Sequence, residues 1–258
     1  MSGNLLNLRG AFAILVHELQ RFFRTAFGSI VSPVLTTSLY FIVFGAAIGG
    51  RIPEIGGVSY GAFIVPGLLM LTLLSESTSN ASFGIYMPRF TGAIYELLSA
   101  PVGVAETLIG FVGAAALKSL IISAIILATA TLFVDYTIAH PLLAVGYIVL
   151  VAAAFSLFGF ILGIWADGFE RLQIVPMLIL TPLTFLGGTF YSIDMLGEPW
   201  RTVAQFNPIF YLINGLRWTF TGTSDVPIAL ALGMTLGFVG LCVGVIGFIF
   251  RTGWRLRD

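Results

Sequence analysis

Apolar residues fall into five long uninterrupted runs and a sixth broken one, separated by short polar stretches. The long runs lie at about Ser29 to Gly49, Tyr60 to Ala81, Glu106 to Phe133, Pro141 to Trp165 and Pro227 to Phe250; the shorter one is at about Gln173 to Tyr191. About twenty apolar residues cross a hydrocarbon core of roughly 30 Å, so each run predicts a transmembrane helix. The runs are continuous and do not alternate every second residue, which favours helices over barrel strands. Pro176, Pro182, Gly187 and Gly188 interrupt the sixth run and predict a kinked helix that loses regular geometry near its far end. Six crossings put both termini on one side.

Three further segments have helical periodicity without the length to cross. Leu5, Leu8, Phe12, Leu15, Leu19 and Phe22 recur every three or four residues, so residues 1–28 predict an amphipathic helix in the membrane interface. Arg9, His17, Glu18, Arg21 and Arg24 interrupt its apolar character and argue against a removable signal peptide. Such a helix is either a plain anchor or a second contact surface for a soluble partner. Between the second and third runs, RFTGAIYELLSAP places Phe90, Ile94, Leu97 and Pro101 on one side of a helix and Arg89, Gly92, Glu96 and Ser99 on another. That pattern predicts a flat helix over about 87–101 with one polar face turned to a soluble partner. Between the broken run and the last long one, a region at about 191–220 predicts two short helices dipping into the opposite leaflet. Pro199 opens the first, with Trp200, Val203 and Phe206 on its buried side and Asn207-Pro208 ending it. Ile209, Leu212, Ile213 and Leu216 point inward from the second, leaving Tyr211, Asn214 and Arg217 on its polar side.

Composition agrees with a single all-α membrane domain. The 258 residues are 58% hydrophobic and 9% charged with a mean hydropathy of +1.02, against about 25% charged in soluble domains. Zero formal net charge leaves no basic surface for nucleic acid. Arg9, Arg21, Arg24, Arg89, Arg171, Arg251, Arg255 and Arg257 fall on one side of a six-span chain and Arg51, Arg201 and Arg217 on the other. Positive loops stay inside, so both termini and the Arg89 segment are expected to be cytoplasmic.

Candidate chemistry is sparse. Lys118, the only lysine, is preceded by leucine, so no GxxxxGK[ST] phosphate cradle exists. His17 and His140 fall on opposite sides of the membrane, which removes a shared metal site. Cys242 sits alone in an apolar run, where inert packing is expected. Glu76 and Lys118 are the ionisable groups inside spans, Lys118 roughly 12 residues or ~18 Å into the third. Facing lipid would cost each about 2.5 to 3.5 kcal/mol, so they reach water or a neighbouring helix, or pair with each other beside a transport route. The aromatics at Tyr40, Phe41, Phe44, Phe185, Phe190 and Tyr191 should gather near the outer ends of the first and fifth spans. Glycine pairs such as Gly159/Gly163 and Gly233/Gly237 suit close helix packing.

FIVPGLLM in the second run, RFTGAIYELLSAP after it, and TPLTFLGGTFYSIDMLGEPW followed by FNPIFYLINGLRW before the last run resemble the ABC-2 type permeases, notably the small bacterial inner-membrane permeases related to nodulation lipo-oligosaccharide and polysaccharide exporters. The resemblance runs over nearly the whole chain. It implies a transport subunit with no nucleotide site or cofactor of its own, driven by two copies of a cytosolic ATPase that carries ATP and magnesium. It also implies a second permease copy, expected to be identical, and an exported substrate that is lipid-like, glycolipid or polysaccharide, or otherwise hydrophobic. By the same resemblance Arg89, Phe90, Gly92, Tyr95, Glu96, Leu97 and Pro101 form a coupling helix in an ATPase cleft, with Phe12, Glu18 and Arg21 of the interface helix alongside. Trp200, Phe206, Asn207, Pro208, Tyr211 and Arg217 gate the exit, and residues 29–258 form the six-helix domain, its first and fifth spans lining the route. An ion-coupled secondary transporter, using Glu76 for its driving ion, and a scaffold for another membrane protein are the alternatives left by the residues themselves.

Overall fold

The computed structural model describes residues 7–24, 26–45, 47–52 and 54–253, without the side chains of Leu97 and Leu98. Leu5, Arg255 and Arg257, and the side chain of Leu97, therefore lie outside the described set. Among the described residues the fold is helical apart from one small hairpin, Glu54–Ile55 (β1) against Val58–Ser59 (β2). Its two-residue turn is Gly56-Gly57, at φ of 60° and 83°, a backbone that only glycine adopts without strain.

Six helices are long and apolar enough to cross a membrane. The first is α2 (Ala26–Tyr40), continued by a wider turn over Phe41–Gly45. It is followed by α3 (Tyr60–Thr91) and, beyond the short α4 (Ile94–Ser99), by α5 (Val104–Ala130) and α6 (Pro141–Trp165). The fifth span is composite: α7 (Phe169–Ile174), a wider turn over Val175–Leu180 around Pro176, then α8 (Thr181–Leu186). This is the interrupted geometry that its prolines predict. After a single short turn at Ile193–Met195 come α9 (Trp200–Gln205) and α10 (Pro208–Thr221), and the last span is α11 (Ile228–Thr252).

α3, α5 and α6 form the centre of the bundle. Glycines on α6 set the α3–α6 spacing: a Cβ at Gly159 would lie 2.3 Å from the Thr78 carbonyl oxygen, and one at Gly163 would lie 2.4 Å from that of Ser82. The Gly159/Gly163 pair is therefore a seam where backbones touch. Gly233, Gly237, Gly240 and Gly244 on α11 meet no neighbour within 4 Å, so their spacing has no partner among the described residues.

The N-terminal helix α1 (Leu8–Arg24) packs onto the bundle along one side. It runs along the first half of α5: Asn7 N–H donates to Glu106 Oε1 at 2.9 Å, a Cβ at Gly110 would collide with Ile14 at 2.6 Å, and Glu18 reaches Lys118. Ala11, Glu18 and Phe22 are its buried residues, whereas Leu8 and Phe12 are exposed, Phe12 by 66%. The face against α5 is rotated about one residue from the apolar stripe, because Ala11 and the two α5 glycines Gly110 and Gly113 permit the closer approach.

The chain's connections alternate between two ends of the bundle. Ala139 and His140 amides donate to the carbonyls of Phe220 and Thr219, both at 2.9 Å, and Tyr60 Oη donates to the Phe190 carbonyl at 3.1 Å. These contacts gather the loops after α2, α5 and α8 at one end. At the other, Asn7 Nδ2 donates to the Pro101 carbonyl and the Phe90 ring packs against Phe169.

Candidate functional site

Two groups of side chains stand out, one at each end. The first surrounds α4. In place of one flat helix over 87–101, α3 continues ten residues past Ala81 and stops at Gly92, whose φ of 79° terminates it as a left-handed cap with its N–H directed to the Arg89 carbonyl. Only six residues, Ile94–Ser99, form α4. Ile94 is buried while Phe90, Gly92, Tyr95 and Glu96 are exposed, so α4 keeps an outward polar face carrying Glu96.

Arg89 does not belong to that face. Its Nη1 donates to the carbonyls of Gly163 at 2.9 Å and Ile164 at 2.5 Å, satisfying acceptors left open at the end of α6. A cation there also meets the negative end of the helix dipole. Asn7 ties α1 to the same region, accepting from the Gly10 amide as a helix cap while its amide holds the Pro101 carbonyl. Sequence reasoning passed over Asn7; an asparagine just ahead of the first periodic residue was the available signal.

Beside α4 lies a cleft of about 530 Å³ whose lining includes Ile14, His17, Glu18, Arg21, Met87 and Glu96. On its α1 wall, Glu18 Oε2 stands 2.7 Å from Arg21 Nη2 and 3.4 Å from Lys118 Nζ. The expected Glu76–Lys118 pair is thus corrected. Lys118 is 2% exposed and takes its counter-charge from α1, a hundred residues away in sequence. Glu76 instead accepts from its own helix, Asn80 Nδ2 to Oε2 at 3.1 Å.

The second group is the cap formed by α9 and α10. Asn207 accepts from the Ile209 amide at 3.0 Å to start α10, Pro208 fills the first helical position, and Asn207 Nδ2 donates to the Leu183 carbonyl. The inward set Ile209, Leu212, Ile213 and Leu216 is buried as expected, but Asn214 and Arg217 are buried too. Arg217 lies over the Phe63 ring at 4.0 Å, donates to the Gly188 carbonyl, and faces Asp225 Oδ2 at 3.8 Å. Asp225 in turn accepts from Ser192 Oγ at 2.8 Å and the Ile193 amide at 3.2 Å. Burial lowers the Arg217 pKa to about 10, with Asp225 acting the other way, so the guanidinium is charged at neutral pH. Helical period gave no sign of this because a buried ion pair places polar residues on a core face.

α9 is also turned around. Trp200, Val203 and Phe206, expected inward, are exposed, Phe206 by 85%, and Ala204 is the residue buried. Tyr211 Oη donates to the Gln205 carbonyl at 2.9 Å, bracing α9 on α10. The predicted aromatic cluster does form here, with Phe190 stacked on Phe44 at 4.0 Å and near Tyr40 and Phe185.

Comparison with known proteins matches these features to a family. Residues 10–221 match the sequence model described as ABC-2 type transporter. The inner membrane transport permease YadH of Escherichia coli (strain K12) is 37% identical over 246 residues, which is 95% of this chain and 96% of YadH. Nodulation protein J of Rhizobium meliloti (strain 1021) is 26% identical over 237 residues, 91% of this chain and 88% of that protein. Nodulation protein J of Rhizobium leguminosarum bv. trifolii is 24% identical over 236 residues, with 91% and 87% covered. With six membrane-crossing helices and a family match from α1 through α10, this chain belongs to the ABC-2 type transporter family as a membrane permease.

Proposed function

We propose that the chain is the transmembrane subunit of an ATP-driven exporter in a bacterial inner membrane, taking its energy from a separate cytosolic ATPase present in two copies, with ATP and magnesium bound there. The observation that carries this reading is α4: six residues on a bend between two spanning helices, with Glu96 and Tyr95 exposed and α1 tied alongside by Asn7. A short, solvent-facing helix joined to the longest helix of the bundle is a contact through which a soluble motor can bias two packings of the spans. The arginine bias supports a cytoplasmic position for that end. The exported substrate is lipid-like, a glycolipid or polysaccharide, or another hydrophobic molecule, and α9–α10 gate its exit. A second, identical copy covers the first and fifth spans, where Leu35, Leu39, Met177 and Leu178 are exposed.

The test is a gentle purification followed by a coupling assay. An ATPase subunit is expected to accompany the permease, and Glu96→Arg to leave insertion and ATP hydrolysis intact while abolishing export. Normal export by that variant, or transport that stops when the ion gradient is dissipated at constant ATP, would overturn the reading in favour of a secondary transporter.

A further inference from the structure

Glu76 lies on the side of α3 that the other described residues cover only in part. Along the middle of this helix Leu73 and Leu74, Ser77 and Thr78, and Ala81 and Ser82 are buried, while Thr72, Ser75, Glu76, Ser79 and Asn80 between them are partly exposed. The buried positions pack on α5 and α6, so the open positions form a second, polar face on a membrane-crossing helix. Asn80 Nδ2 donates to both the Glu76 carbonyl at 2.9 Å and Glu76 Oε2 at 3.1 Å, holding carboxylate and amide side by side. Glu76 is sixteen residues from Tyr60 and fifteen from Thr91. At 1.5 Å per residue that is about 24 and 22 Å, inside a ~30 Å core whichever end of α3 projects from it.

A carboxylate at that depth stays charged only with water or a counter-charge beside it. This chain does not provide one among its described residues: Lys118 is held by Glu18, Arg89 by the α6 carbonyls and Arg217 by Asp225. The other described arginines stand at helix ends, in short helices or in loops. A polar lipid-depth face with an acceptor-rich centre and no cation of its own is therefore complementary to a positively charged molecule that arrives within the membrane.

We propose that the Thr72–Asn80 face of α3 is the head-group seat for the transported molecule, and that it takes amphiphiles bearing a protonated amine, the ammonium resting on the Glu76 carboxylate with the hydroxyls of Thr72, Ser75 and Ser79 accepting from the rest of the head group. This rests on the transport reading above and specifies its substrate class.

The test is equilibrium binding to the full-length permease in phosphatidylcholine nanodiscs, using a fluorescent long-chain alkylamine and its matched alcohol as probes. The amine is expected to bind at least tenfold more tightly than the alcohol; Glu76→Gln should abolish that ratio and Glu76→Asp should retain part of it. Ser79→Lys places a tethered ammonium one turn from Glu76 and should also abolish it, which keeps the test decisive if Glu76→Gln does not fold. Equal binding of the two probes, or an undiminished ratio in both variants, would overturn the assignment. So would a disulfide formed across copies by Ser79→Cys that the amine does not suppress, since the face would then be a subunit seam. The assay needs neither ATP nor a partner. Its failure alongside ATP-coupled export removes the seat alone, and selective binding by a chain that recruits no ATPase removes the transport reading alone.

Discussion

Lys118 Nζ on α5 and Glu18 Oε2 on α1 stand 3.4 Å apart, both side chains almost wholly buried, so the helix preceding the first span is locked by charge to the third. Arg21 shares the same carboxylate oxygen at 2.7 Å. Glu18 is thus the anion that Lys118 and Arg21 share, which makes the three positions unequal.

Removing that anion should be the most damaging change in the cluster. Glu18→Leu leaves Lys118 uncompensated among packed helices and is expected to cost about 3 to 5 kcal/mol, the usual penalty for breaking a buried pair. Lys118→Met, which leaves Glu18 with Arg21, should cost less, and the double variant should recover most of the loss. Thermal unfolding of the purified chain in detergent measures all three, and additive losses would show that the pair is not a pair.

Arg89 should prove structural. Arg89→Ala frees the two carbonyls at the end of α6 and should cost about 1.5 to 3 kcal/mol, the range for a hydrogen bond to a charged group. Hydrogen exchange should rise at residues 160–168. Glu96→Ala, one helical segment away and exposed, should leave the melting temperature unchanged.

The two glycine pairs should separate by experiment. Gly159→Ala drives a methyl into the Thr78 backbone, and overpacking of this kind costs about 1 to 3 kcal/mol. Gly233→Ala meets open space and should leave the fold's stability intact or slightly raised, through the higher helix propensity of alanine. The same unfolding assay reads both.

At the opposite end, Asp225→Asn should loosen the junction between Ser192–Ile193 and α10. The neutral amide loses the charge facing Arg217 and one of the two acceptor oxygens, so amide exchange at residues 188–195 should increase at least tenfold. Because Arg217 titrates at about 10, stability from this contact should stay flat between pH 6 and 8. A folded-state pKa below the ordinary arginine value makes stability depend on pH only between those two values, far above neutrality.

The spans were legible because run length alone carries them. Pro141 and Tyr60 start helices where the polar-to-apolar change occurs, and the paired prolines of the fifth span kink it as they should. The last ten residues of α3 were not legible as part of it: the apolar run stops at Ala81, and Pro88, Arg89 and Thr91 read as the start of a separate flat helix, whereas packing against α6 and α7 keeps one helix running through Thr91. Periodicity found α1, α9 and α10 and the inward set of α10, but it missed the burial of Glu18, Asn214 and Arg217 and set the wrong side of α9 inward. A stripe at helical spacing shows that one face differs from another, yet a membrane protein surrounded by lipid gains little by hiding the greasy one, and so Phe12, Trp200 and Phe206 lie outward while Glu18 and Arg217 lie inward. The Glu18 partner was out of reach for a simpler reason, since contacts a hundred residues apart leave no local mark.

The length of α3 sets how far its α4 end stands from the lipid core. Its 32 residues extend about 48 Å at 1.5 Å each. Even leaning at 40°, the upper end of ordinary tilts, such a rod covers roughly 37 Å of depth against a core of about 30 Å. Its Tyr60–Leu74 half is the greasy one, and hydroxyl, amide and charged groups crowd the half that leads to Gly92. The surplus therefore projects as a stalk on the α4 side, holding the bend at Gly92 clear of the lipid tails.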